Sequence, residues 1–158
     1  MAALDPEDPQ DEAKLTALLQ RWAEGKATLR EVRGYSNDEL YAIAKTAYFF
    51  FYQGRVAEAR TLFQGLYAIN PTDVYFAKAL GVVEMAAGNG QGALAAFDVA
   101  AKLAPQDPAV YVGRAEVKLA IGQKPQALED LRRAAAMTPA DDPVVRKAGA
   151  MVNALTRR

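Results

Sequence analysis

Few residues in this chain of 158 could carry covalent chemistry. It has no histidine and no cysteine, and Ser36 is its only serine. A serine–histidine or cysteine–histidine nucleophile is therefore excluded, as are disulfides and thiolate metal sites. Zinc would need a site made of carboxylates alone, an unusual donor set. Two carboxylate pairs, Glu129-Asp130 and Asp141-Asp142, are adjacent in the chain. Neighbours at i and i+1 do not share a helix face. Neither pair is expected to do acid–base work; the first is expected on a solvated face and the second at a helix cap. Gly88-Asn89-Gly90-Gln91-Gly92 has the glycine content of a phosphate loop. It lacks the Gly-Lys-Ser/Thr ending and the preceding strand that such a loop needs. An enzyme is not expected, and neither a cofactor nor a metal is implied. The side chains left to consider suit non-covalent binding, and tyrosines lead them.

The elements that must position those tyrosines follow from a 34-residue period. Gly54, Gly88 and Gly122 form one series, Ala59, Ala93 and Ala127 a second, and Pro71, Pro105 and Pro139 a third. Phe63, Phe97 and Leu131 add a bulky apolar position in the same register. Glycine permits positive φ in a tight turn, alanine allows close helix approach, and proline follows a helix end. This content resembles the tetratricopeptide repeat, a helix–turn–helix unit. The expected fold is all-α: three tandem repeats in an α-solenoid, at 40–73, 74–107 and 108–141, within a unit spanning 36–141. Ser36 and Glu39 have capping-box spacing for the first helix, and Asp107-Pro108 and Asp142-Pro143 have cap-then-proline starts. Helices are expected to 52, over 56–69, 72–87 and 91–104, from 108, then to 137, and over 144–155. Gly90 and Gly92 are expected to loosen the second turn.

The two ends read differently. Residues 1–10 hold Asp5, Pro6, Glu7, Asp8 and Pro9, the composition of a disordered acidic tail. Residues 11–35 are expected to hold a helix and a connector. Leu15, Leu18, Leu19 and Trp22 fall at i, i+3, i+4 and i+7 on that helix, one apolar stripe. Residues 142–158 are expected to form a capping helix, because a solenoid otherwise leaves an apolar face in water. Nineteen basic and nineteen acidic residues cancel, so no nucleic-acid footprint is expected. The start has no basic region followed by an apolar run, so it does not read as a secretory signal. No apolar run approaches the ~20 residues of a membrane span. A cytoplasmic protein is expected.

In such a stack the first helix of each repeat lines the inner face. The inward slots of the first repeat are Tyr41, Ala44, Lys45, Tyr48, Phe51 and Tyr52. Those of the second are Tyr75, Lys78, Val82 and Met85, and those of the third Val112, Gly113, Glu116 and Leu119. Aromatic side chains offer large contact area at little rotamer cost. An apolar patch of this kind marks a partner site, so the inner face is expected to hold a peptide. The bland alternative is that individual members fill the core or pack on the N-terminal helix. Ala44 and Tyr48 stand where repeats that grip a C-terminal carboxylate carry lysine or asparagine, which disfavours that mode.

Three repeats, a short N-terminal helix and a C-terminal cap resemble the class II chaperones of bacterial type III secretion. The resemblance runs through Leu40-Tyr41-Ala42-Ile43-Ala44, Tyr52-Gln53-Gly54-Arg55, Ala57-Glu58-Ala59-Arg60 and Phe63-Gln64-Gly65-Leu66. It continues from Tyr75-Phe76 through Leu80-Gly81 to Met85-Ala86-Ala87-Gly88. It implies a cytoplasmic chaperone that holds hydrophobic translocator proteins before export. An extended segment of proline–x–leucine–x–x–proline character would lie in the groove. Tyr41, Lys45, Tyr48, Tyr52, Tyr75, Lys78 and Val82 occupy the matching slots. It further implies a homodimer through Leu15, Leu18, Leu19 and Trp22; the alternative for that stripe is docking in cis on the first repeat. The competing function is a repeat adaptor or scaffold subunit of a larger assembly, such as a pilus or secretion machine.

Overall fold

The computed structural model describes residues 8–10, 13, 17 and 34–157. Leu15, Leu18, Leu19 and Trp22 lie outside the described residues. From residue 34 on there are seven helices: α1 (Asn37–Tyr52), α2 (Val56–Ile69), α3 (Val74–Ala86), α4 (Gly90–Leu103), α5 (Pro108–Ala120), α6 (Lys124–Ala135) and α7 (Pro143–Thr156). No strand occurs among the described residues. None of the helices is long and apolar enough to cross a membrane.

Local chemistry explains the helix starts. Ser36 Oγ accepts from Glu39 N at 3.2 Å while Glu39 Oε2 accepts from Ser36 N at 2.8 Å, a reciprocal capping box. Asp73, Asp107 and Asp142 cap α3, α5 and α7 by accepting from the N–H of Tyr75, Ala109 and Val144. Asp73 is why α3 begins at Val74 rather than at 72. The helix α6 ends at Ala135, short of 137, ahead of Thr138 and Pro139; a residue before proline is biased away from helical backbone. Gly54, Gly88 and Gly122 turn the chain with φ of 77°, 79° and 82°. Nothing lies within 4 Å of a Cβ built on any of the three, so their positive φ, rather than crowding, is what demands glycine.

Helices pack in sequence: α1 on α2, α3 on α4 and α5 on α6, with α2–α3 and α4–α5 joining successive pairs and α7 closing on α5 and α6. Ala59, Ala93 and Ala127 are fully buried, as are Phe63 and Leu131. Phe97 of α4 is held between two backbones. A Cβ on Gly81 of α3 would stand 2.6 Å from its ring, and one on Gly113 of α5 would stand 2.5 Å away. Gly81→Ala is therefore expected to lower stability by about 1–3 kcal/mol, since the ring has no free side to retreat to. Urea unfolding of that variant against Gly149→Ala, whose site is open, isolates the clash.

Gly90 and Gly92 do not loosen the second turn. Both lie in the first turn of α4, where Asn89 caps by accepting from Gly92 N at 3.0 Å. A Cβ on Gly90 would meet Ile121 at 2.6 Å, and one on Gly92 would meet the Asn89 side chain at 2.3 Å. The two glycines make room for close packing. Asn89 also donates to the buried Glu84 at 2.7 Å, as do Arg60 and Gln64 of α2 at 2.9 Å each. Burial pushes the Glu84 carboxyl up, but the three donors outweigh it and hold the group below the ordinary carboxylate range.

Candidate functional site

The first-repeat and second-repeat tyrosines converge across α1 and α3. The ring of Tyr48 lies 6.1 Å from Tyr52 in a stack and 6.1 Å from Tyr75 edge to face. Tyr41 meets Tyr75 edge to face at 5.5 Å and Phe76 at 5.5 Å. Tyr48 also rests edge-on against the buried Phe63 at 4.9 Å. Such pairs add roughly 0.5–1.5 kcal/mol beyond area burial, so the cluster is pre-organised. Tyr52 ends it with 82% of its surface exposed, and Val82 extends it along α3 at 41%. Phe51 is half-buried, 5.8 Å from Tyr52. Burial, then the neighbouring Tyr75, pushes the Tyr48 hydroxyl up to about 12. Tyr48 is therefore uncharged at neutral pH.

Not every inward slot offers surface. Ala44 is 1% exposed and belongs to the core beneath α1, so it leaves the groove. Met85 is half-buried against Ala93, Phe97 and Val117. In the third repeat Val112 is buried and Gly113 lies against Phe97. Glu116 pairs with Lys147 of α7 at 2.7 Å, and Leu119 packs on the core. The capping helix thus takes up Glu116, and the other three slots go to the core. Lys45 is exposed and makes no ion pair among the described residues.

Two groove residues are already engaged. The Tyr41 hydroxyl donates to Asp73 Oδ2 at 2.7 Å, which raises its pKa through that hydrogen bond first. Lys78 Nζ donates to Asp107 Oδ2 at 2.8 Å. Each aspartate therefore caps its own helix with Oδ1 and ties back to the preceding repeat with Oδ2. The 34-residue spacing of Asp73 and Asp107 is the signal available in sequence; reading Asp107 only as a cap, and Asp73 as part of a helix over 72–87, misses the tie. Asp73→Ser retains a good cap but cannot reach Tyr41. Asp73→Ser and Tyr41→Phe are each expected to lower stability by about 0.5–1.5 kcal/mol. The double variant should be little worse than either, because both remove one bond. Full additivity in chemical denaturation would refute the tie.

The helix pairs and the repeat sequence define an all-α tetratricopeptide-repeat solenoid, and residues 41–108 match the tetratricopeptide-repeat family model. Among solved structures, PcrH from Pseudomonas aeruginosa is 26% identical with a TM-score of 0.72, covering 82% of this chain and 100% of its own. PcrH in complex with the chaperone-binding region of PopD is 27% identical with a TM-score of 0.71, covering 78% of this chain and 96% of its own. The Yersinia enterocolitica type III secretion translocator chaperone SycD shares the fold at 23% identity and a TM-score of 0.73, covering 81% of this chain and 98% of its own. In fold and in repeat plan the chain is similar to the type III secretion translocator chaperones. No curated protein sequence matches it.

Proposed function

We propose that this protein is a chaperone of a bacterial type III secretion system. It holds a hydrophobic translocator by an extended segment laid across α1 and α3 until export. The observation that carries this is the joined tyrosine cluster, exposed at Tyr41 and Tyr52 and continued by Val82. Its support from relatives is that PcrH has been captured with the chaperone-binding regions of PopD and of PopB.

The roles divide by exposure. Tyr48, Tyr52 and Tyr75 supply ring faces on which proline and leucine side chains pack, with Phe51 beside Tyr52 and with Val82 and Met85 continuing the face along α3. Lys45 supplies an unpaired ammonium for a segment carbonyl. Tyr41 and Lys78 set the spacing of the helices through Asp73 and Asp107. The protein works by binding rather than catalysis, and does so in the cytoplasm, where clients are met before export. The unit of function is the array at 40–73, 74–107 and 108–141, with 142–158 as its cap. A homodimer through Leu15, Leu18, Leu19 and Trp22 belongs to the same proposal. Sedimentation of wild type and Leu19→Asp tests it, and a monomeric wild type removes it.

Calorimetry is the direct test of the chaperone role. A synthetic peptide with proline–x–leucine–x–x–proline character, from a translocator encoded in the same genome, is expected to bind with micromolar or tighter affinity. Absence of heat and of any spectral shift with such peptides would sink the proposal.

A further inference from the structure

At three slots the third repeat carries a tyrosine or an arginine where the first two carry uncharged, mostly apolar residues. Tyr111 stands where the earlier repeats have Ala77 and Ile43. Arg114 stands where they have Leu80 and Thr46, and Arg133 where they have Val99 and Gly65. The first two helix pairs pack without such side chains, so packing alone does not require them. The partner of Arg114 is Asp130, at the slot of the buried Ala96. An ion pair placed at such a site carries a desolvation cost that apolar residues avoid.

Tyr111, Arg114 and Arg133 line a cavity of about 330 Å³ between α4, α5 and α6. Tyr111, 2% exposed, forms its floor and donates from its hydroxyl to the Pro105 carbonyl at 3.1 Å. Arg114 is immobilised: Nε and Nη2 donate to the two Asp130 oxygens at 2.9 and 2.7 Å, and Nη1 donates to Asp98 at 2.9 Å. Arg133 lies over the Tyr111 ring, 4.6 Å from its centroid. Lys102 completes the wall. Lys102 and Arg133 make no ion pair among the described residues. Asp98 on the same wall is paired with Arg114, so the charges of Lys102 and Arg133 favour an incoming anion.

We propose that this cavity binds a carboxylate side chain from an acidic segment of a partner polypeptide, with Lys102 and Arg133 as its ligands and Tyr111 as its floor. A guanidinium presents two parallel N–H groups that match a carboxylate. A monoanion fits better than a phosphate dianion, because Asp98 also lines the wall and is half exposed. The site is built from α4, α5 and α6 and does not use the tyrosine cluster, so it stands or falls apart from the groove.

The test is a nuclear magnetic resonance titration of the full chain at low ionic strength. The probe is a blocked hexapeptide, Ala-Glu-Glu-Ala-Glu-Glu. Saturable shifts are expected at the side-chain N–H of Arg133 and Arg114 and in the amides of residues 98–104. Arg133→Gln and Lys102→Gln should each weaken binding about tenfold. Both residues are exposed and their replacement leaves the Arg114–Asp130 pair intact, so the variants keep the fold. Affinity for the proline–leucine peptide should not change. Shifts spread evenly over Lys124, Arg132 and Arg146 would mean diffuse screening and overturn the site. So would undiminished binding by both variants, or pocket shifts produced by inorganic phosphate but not by the peptide.

Discussion

Arg114→Leu is expected to lower the stability of this protein by about 3–5 kcal/mol, and adding Asp130→Ala is expected to restore most of the loss. The buried Asp130, 5% exposed, receives two N–H groups from Arg114 and one from Lys118 at 2.7 Å. Removing Arg114 leaves a carboxylate with one cation and an unfilled oxygen in a poorly solvated place. Lys118 moderates the effect toward the lower figure. The paired replacement gives the third repeat the residues that the second already uses, Leu80 and Ala96. Lys118 then loses its partner, but its long stem lets the ammonium reach water. Urea unfolding of both variants decides the matter. If Arg114→Leu unfolds at the wild-type midpoint, the buried pair is energetically idle.

Tyr48→Ala combined with Tyr75→Ala is expected to weaken binding of the translocator segment by about 2–4 kcal/mol, roughly thirty- to thousandfold. The two rings touch, so their effects will not simply add. Tyr48 also packs on Phe63, and its truncation should cost stability as well as affinity. Tyr52→Ala separates the two effects. With 82% of its surface in solvent, Tyr52 contributes little to the fold, so its loss should appear in calorimetry and leave the unfolding curve in place. Unchanged affinity in the double variant would remove the tyrosine face from the proposal.

The repeat plan was legible because its key positions answer to local rules. Gly54, Gly88 and Gly122 are read from sequence since positive φ excludes almost every other residue, whatever packs nearby. Ser36 and Asp107 were legible as caps for the same reason. What escaped depends on distance along the chain. Tyr41 meets Asp73 and Lys78 meets Asp107 across 32 and 29 residues, and no local pattern announces a partner so far away. Glu129-Asp130 was expected on a solvated face. Glu129 is exposed, but Asp130 is buried by Arg114 and Lys118 from another helix. Adjacent carboxylates look alike until the facing helix is known. Ala44 failed as a groove residue because a slot facing the right way still needs a side chain long enough to clear its neighbours.

The wedging of Phe97 between Gly81 and Gly113 bears on how the molecule opens. The α4 helix cannot separate from either side without freeing that ring from both neighbouring backbones at once. The α7 helix, by contrast, packs among the described residues on α5 and α6 at the end of the array. In an array whose units touch only their neighbours, opening proceeds inward from the ends. Amide protons of α7 should therefore exchange with solvent through local fraying, while those at the centre of α4 exchange only when the middle of the array comes apart.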